Sequence, residues 1–183
     1  RTYSWKEVFG NFWQHNFRKN GLYVLFLILC LKFADASINT MTVPFLSELG
    51  VNKIEFANIS KIFGLMMMIT GSFSAGIIMH YLGTFNGILL AILMQLLSCM
   101  MFALLAVIGK QNGFLWLSVG VENFCSGLTA ASLIAYLSSI CKKPHTATHF
   151  SLWYSFGSLC RVFISGLCGI TADFISWTNL FLG

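Results

Sequence analysis

Residues 22–46 read LYVLFLILCLKFADASINTMTVPFL. A helix needs about 20 mostly apolar residues to cross the hydrocarbon core of a bilayer, and this run supplies them. Four further runs of that kind follow at about 54–81, 85–108, 114–140 and 145–174, and Trp177 opens a sixth that reaches Gly183. The chain of 183 residues is 57% hydrophobic and only 9% charged, against about 25% charged in soluble domains. An ordinary soluble domain is excluded. With 18 Phe and only 2 Pro the chain is not a disordered or low-complexity one either. The expected fold class is an all-α membrane protein, a multi-pass transmembrane helix bundle over residues 21–183, led by a basic and aromatic segment at 1–20.

The links between the runs are short, so consecutive helices should stand as antiparallel neighbours in an up-and-down bundle. Asn52 with Glu55 three residues on has the form of a capping box for the second helix, and Pro144 sits at the first position of the fifth. Arg1, Lys6, Arg18, Lys19, Lys142 and Lys143 fall on one set of loops, with Lys53 and Lys110 on the other. The positive-inside rule then puts the leading segment in the cytoplasm. Trp5, Trp13, Trp116 and Trp177 lie near the expected interfaces, where an amphipathic ring prefers to sit. The chain opens on Arg1 and stops soon after Leu180-Phe181-Leu182, so it is expected to be a piece of something longer, with no secretory signal in front.

Long loops are absent, which leaves no room for a soluble catalytic or nucleotide-binding domain, and HExxH, GxSxG and P-loop patterns are missing. An enzyme is not expected, and no catalytic residue is assigned. The six cysteines show no CxxC pair, so no metal site or disulfide framework is implied and they read as small hydrophobes. The net charge of +5 is spread between helices, which argues against a nucleic-acid partner. The partner is the lipid bilayer.

Polar groups at membrane depth carry the functional information. A Lys, Asp or Arg at a helix centre is disfavoured by about 2.5–3.5 kcal/mol on insertion scales, so its presence marks a pathway or a site. Lys32 and Asp35 are spaced i, i+3 on one face of the first helix, where ammonium and carboxylate can neutralise each other, and Asn39 continues that face. Pro44 should loosen the helix beyond it. Lys61 on the second helix, Glu122 and Asn123 on the fourth and Arg161 on the fifth reach a similar depth. Together they form a polar layer suited to a polar solute, with Asp35 and Glu122 as the two carboxyls able to exchange a proton. For any one of these residues a purely structural pairing competes evenly with a functional role; five charged groups in one layer favour function.

Other signals read as structure. His145 and His149 stand i, i+4 without a third ligand, and Asn58-Ile-Ser60 matches a glycosylation acceptor inside an expected helix. Ser72 with Gly76, Gly83 with Gly87, and Gly166 with Gly169 offer small residues for close helix approach. Met66, Met67 and Met68 read as adaptable filler.

Four stretches carry a resemblance to a known family: Lys32-Phe-Ala-Asp35-Ala36, the run NISKIFG at 58–64, Glu122-Asn123-Phe-Cys-Ser-Gly127, and the run CKKPHTATHFSLWYSFGSLCR at 141–161. They resemble the carboxy-terminal six-helix half of the AmpG-type muropeptide permeases of the major facilitator superfamily. The resemblance implies that the five full helices are the seventh to eleventh of a twelve-helix transporter in the bacterial cell inner membrane. It implies proton-driven import of peptidoglycan-derived anhydro-muropeptides for cell-wall recycling, with the proton gradient as the coupling ion and no cofactor. A missing amino-terminal six-helix half would be the protein partner, and without it the chain should not transport. Substrate-binding or proton-coupling roles carry over to Lys32, Asp35, Lys61, Glu122, Asn123 and Arg161, with Asn39 added from its position on the Lys32–Asp35 face. Two other readings stand beside this one. The chain could be a non-transporting remnant of a split transporter gene, or a related carrier of another substrate such as acetyl-CoA.

Overall fold

The computed structural model describes residues 21–48, 50, 57, 59–109, 111–140 and 146–172. Helix α1 spans Gly21–Glu48. A π-helical turn, Ile59–Gly64, runs directly into α2, Leu65–Leu82. Helices α3, Thr84–Ile108, α4, Asn112–Ile140, and α5, Thr146–Ala172, complete the described chain. The first described turn of the second expected run is π-helical rather than α-helical. The leading segment 1–20, the Asn52–Glu55 pair, Pro144 and the run at 177–183 lie outside the described residues.

Among the described residues four helical stretches are long and apolar enough to cross a membrane: Phe26–Glu48, Ile59–Leu82, Thr84–Ile108 and Asn112–Ile140. Helix α5, at Thr146–Ala172, stands where the fifth run was expected and carries Arg161 near its middle. The chain is a membrane protein, and its outer surface shows it. Leu93, Met100 and Val107, seven residues apart on α3, are 63%, 56% and 70% exposed. In water such a stripe would drive association, whereas in lipid it is the ordinary outer face.

The turns use glycine where the backbone demands it. Gly83 links α2 to α3 at φ 81° and ψ 161°, a region open essentially to glycine alone, and its N–H donates to the Met79 carbonyl at 3.1 Å. Gly109 closes α3 in the same way, donating to the Leu105 carbonyl at 3.0 Å. Pro44 lies within α1, close enough to its end that the helix continues to Glu48.

Helix α4 is the hub, packed mainly on α2 and α3, whereas α1 pairs with α5 and leans on α3. Apolar helices gain nothing by leaving lipid for one another, so close packing and hydrogen bonds hold them together. Along α2 and α4 that packing is backbone to backbone. A Cβ added at Gly71 would collide with the Phe124 carbonyl, and one at Gly127 with the Met68 carbonyl. A Cβ at Gly120 would meet the ring of Phe63, and one at Gly64 would lie 3.0 Å from the Asn123 amide. These four glycines make the approach of α4; of the expected pairs Gly87 packs closely on Met79 of α2, whereas Gly76 and Gly166 face open space. Of the expected set Ser72 does reach α4, donating to the Gly127 carbonyl at 3.2 Å.

Two large apolar clusters, with a small one of Ala75, Ala91 and Leu128, fill the bundle. One joins Ile38 and Phe45 of α1 to Phe102 of α3 and to Leu115 and Val119 of α4. The other joins Ile28 and Leu31 of α1 to Ile88, Leu133, Leu137 and Trp153. Between them α1 contributes residues 32–37 and α4 residues 120–132, and there the interior turns polar.

Candidate functional site

In that polar middle lies a cavity of about 210 Å³. Helix α1 supplies Leu31, Lys32, Asp35 and Asn39 to its wall, α2 supplies Met68, α4 supplies Ser126, Thr129, Ala130 and Leu133, and α5 supplies Tyr154 and Arg161. The i, i+3, i+7 spacing of Lys32, Asp35 and Asn39 puts all three on one stripe of α1.

Asp35 is the centre of the hydrogen-bonding. Its Oδ1 accepts from Nδ2 of Asn39 at 2.9 Å and from the Ser126 hydroxyl at 3.3 Å. Its Oδ2 stands 3.8 Å from Nη1 of Arg161, which joins α1 to α5. Asn39 also donates to the Asp35 backbone carbonyl at 2.9 Å, fixing the amide that meets the carboxylate. The Asp35 side chain is 15% exposed and that of Arg161 46%, so the guanidinium keeps donors free for a guest.

Lys32 takes a different partner from the expected one. It closes no ion pair with Asp35; its Nζ lies over the Tyr154 ring at 5.6 Å from the centroid. A lysine in a helix leans toward the helix start, away from the residue three positions on. Tyr154 in turn stacks on Phe150, with centroids 6.0 Å apart and planes at 11°. Close approach of α5 permits this, since a Cβ at Gly157 would lie 2.9 Å from Ile28 and 3.7 Å from Lys32. Next to Asn39, Thr40 donates to Ser165 at 3.0 Å, a second polar tie between α1 and α5.

Four of the seven residues singled out in the sequence, Lys32, Asp35, Asn39 and Arg161, therefore share one cavity. Glu122 is buried in α4 one turn from Ser126, on the α3 side of the cavity. Asn123 faces the π-helical turn, with its amide against Gly64 and donating to the Val119 carbonyl at 2.8 Å. Lys61 is exposed within the π-helical turn and lies outside the cavity wall. Ser126, Thr129 and Tyr154 join the wall without having stood out in the sequence; only the i+4 step from Glu122 to Ser126 pointed to one of them.

Two cations and one carboxylate give the cavity a net positive charge. Two donors on separate helices, an aromatic face and hydroxyls between them suit an anionic, hydrogen-bonding solute.

No family model matches this chain. A protein of Rickettsia typhi named "Putative transporter AmpG 3" is 34% identical over 170 residues, which is 91% of this chain and 40% of that protein. An AmpG 1 protein of Rickettsia prowazekii is 34% identical over 96% of the chain and 41% of its own length, and an AmpG 4 protein of Rickettsia felis is 29% identical over 90% and 40%. Over nine tenths of its length the chain is similar to AmpG transporters. It spans about two fifths of the length of these curated relatives. The apolar helices make it a membrane protein.

Proposed function

We propose that this chain is the carboxy-terminal part of a proton-coupled secondary transporter of the major facilitator superfamily, which imports peptidoglycan-derived anhydro-muropeptides across the bacterial inner membrane. The observation that carries this reading is the cavity between the two apolar clusters, where Lys32 and Arg161 flank a single carboxylate in a chain similar to AmpG transporters. A muropeptide presents peptide carboxylates and sugar hydroxyls. The carboxylates would meet Lys32 and Arg161, displacing part of the Asp35 contact, and the hydroxyls would meet Asn39, Ser126 and Thr129. The 3.8 Å separation of Arg161 from Asp35 is loose for a charge-assisted bond, so a guest anion competes for the guanidinium on good terms. The cavity is a partial one, to be completed by the amino-terminal half, which would rock against this one to alternate access.

Uptake of labelled anhydro-muropeptide by permease-deficient cells tests this. The full-length protein is expected to accumulate label and to lose accumulation with an uncoupler, while this segment alone does not accumulate it. Full-length protein present in the membrane but without uptake would defeat the reading. Uptake that unlabelled acetyl-CoA competes away would assign the cavity to a different anion.

A further inference from the structure

The α3–α4 interface carries a second line of polar groups, of which only Thr129 also reaches the cavity wall. On α4, Ser118, Glu122, Thr129 and Ser132 fall on one face at helical spacing, and Gln95 and Ser98 of α3 meet them. Thr129 fixes the register by donating to Oε1 of Gln95 at 3.2 Å. All six are buried, and Gln95, Ser98, Ser118 and Ser132 are each 0% exposed. Serines inside helices commonly donate to the carbonyl one turn back, as Ser72, Ser138 and Ser158 do here. Ser98, Ser118 and Ser132 do not: their hydroxyls, and Nε2 of Gln95, keep their hydrogen-bonding capacity unspent. From Ser118 to Ser132 the line runs about 21 Å at 1.5 Å per residue, a large part of the membrane thickness.

Glu122 sits in this line 7% exposed, with no hydrogen bond or ion pair among the described residues. The titratable groups that act on it are Asp35 from α1, Cys99 from α3 and Cys125 on its own helix, none of them a cation. Of the basic side chains on the neighbouring elements, Lys32 of α1 lies over the Tyr154 ring, Arg161 of α5 stands against Asp35, and Lys61 of the π-helical turn is exposed. The contrast with Asp35 is sharp. Asp35 has two donors and a guanidinium, as an ionised carboxylate requires. Glu122 has neither, and an ionised carboxylate without donors or a cation is strongly disfavoured in an apolar interior.

Resting on the proton-coupled reading above, we propose that Glu122 is the carboxyl that carries the coupled proton, that the α3–α4 polar line is its route, and that Asp35 is the fixed counter-charge of the solute cavity. The two sites communicate through Ser126, one turn from Glu122 on α4, whose hydroxyl bonds Asp35. Loss of the Glu122 proton places a second negative charge beside Asp35, which strengthens the hold of Asp35 on Arg161 and expels a bound anion. The proton passes from one face to the other by binding to the Glu122 carboxylate and leaving it, with no net chemical change.

The test uses the full-length transporter in proteoliposomes with labelled anhydro-muropeptide. Glu122→Gln is expected to retain exchange of labelled for unlabelled solute at equal concentrations within threefold, while uptake driven by an acidic exterior falls at least tenfold; Glu122→Asp recovers part of it. A hydrophobic carbodiimide, which attacks protonated carboxyls, is expected to modify Glu122 and spare Asp35 when the sites are mapped by mass spectrometry. Ser98→Ala with Ser132→Ala is expected to slow uptake at least threefold at unchanged KM. Full pH-driven accumulation by Glu122→Gln, or carbodiimide modification at Asp35 in place of Glu122, would overturn the assignment while leaving the muropeptide reading intact. A wild-type protein that exchanges muropeptide but ignores the pH step would instead defeat proton coupling itself.

Discussion

The hydroxyl of Ser126 on α4 donates to Oδ1 of Asp35 on α1 at 3.3 Å, between the two apolar clusters through which these helices also meet. Tight pairs lie on either side: α2 with α4 through glycine contacts, and α1 with α5 through Gly157 and the Thr40–Ser165 bond. The cavity thus occupies a polar gap in an otherwise apolar boundary, spanned there by hydrogen bonds. Such bonds break and re-form at small net cost, about 0.5–1.5 kcal/mol each, which is the property a site that opens and closes requires.

The Asp35–Arg161 contact should behave as one unit in function. In the full-length transporter, Asp35→Asn and Arg161→Gln are each expected to lower muropeptide uptake about tenfold. The double variant should fall by less than the product of the two, because both single changes remove the same interaction; residues in contact couple by about 0.5–3 kcal/mol. Initial uptake rates, normalised to protein in the membrane, decide this. Strictly multiplicative losses would mean that the two side chains act independently.

Stability should depend on the glycines that let α2 and α4 touch. A Cβ at Gly127 runs into the Met68 backbone, which cannot swing away as a side chain could. Gly127→Ala is therefore expected to destabilise by about 1–3 kcal/mol, as over-packed interiors do. Gly76, on α2 of the same pair, has nothing within 4 Å, so Gly76→Ala should be neutral or stabilising by up to about 1 kcal/mol. Thermal unfolding of the two variants in detergent compares them directly; equal Tm values would refute the close contact.

The sequence carried the helices because length and apolarity alone determine what crosses a bilayer, and those are written residue by residue. It carried Lys32, Asp35, Asn39 and Arg161 because charge at depth stands out against an apolar background. The π-helical turn at Ile59–Gly64 did not stand out, since one extra residue per turn changes neither composition nor length. Tyr154, Ser126 and Thr129 are ordinary residues that gain meaning only from the register between helices. The glycine contacts were hidden for the same reason: small residues occur in many places, and only packing distinguishes Gly71 and Gly127 from Gly76 and Gly166.

Tyr154 should matter through its ring and not its hydroxyl. The Lys32 ammonium lies over the ring face, an arrangement worth about 0.5–1 kcal/mol at a partly exposed site, and Phe150 stacked behind fixes the ring's plane. Tyr154→Phe is expected to leave KM within twofold of wild type. Tyr154→Leu keeps comparable bulk, removes the π face and should raise KM about two- to fivefold, with transport at saturation little changed. A larger effect of the Phe variant than of the Leu variant would show that the hydroxyl, and not the ring, is what the solute or Lys32 uses.

The two intramembrane lysines should separate cleanly. Lys32 lines the cavity, where on the proposed reading it would meet an anion between α1 and α5, whereas Lys61 lies in the π-helical turn outside its wall. Lys32→Ala is expected to raise KM for muropeptide about tenfold, the loss of a charge-assisted bond of about 1.5 kcal/mol or more. Lys61→Ala should change KM less than threefold, and Lys61→Glu little more, because an exposed charge outside the wall meets the solute only through screened, long-range interaction. Uptake measured over a range of solute concentrations gives both constants. A Lys61 variant that loses affinity as Lys32→Ala does would require the amino-terminal half to close the π-helical turn over the solute, extending the binding surface beyond the cavity described here.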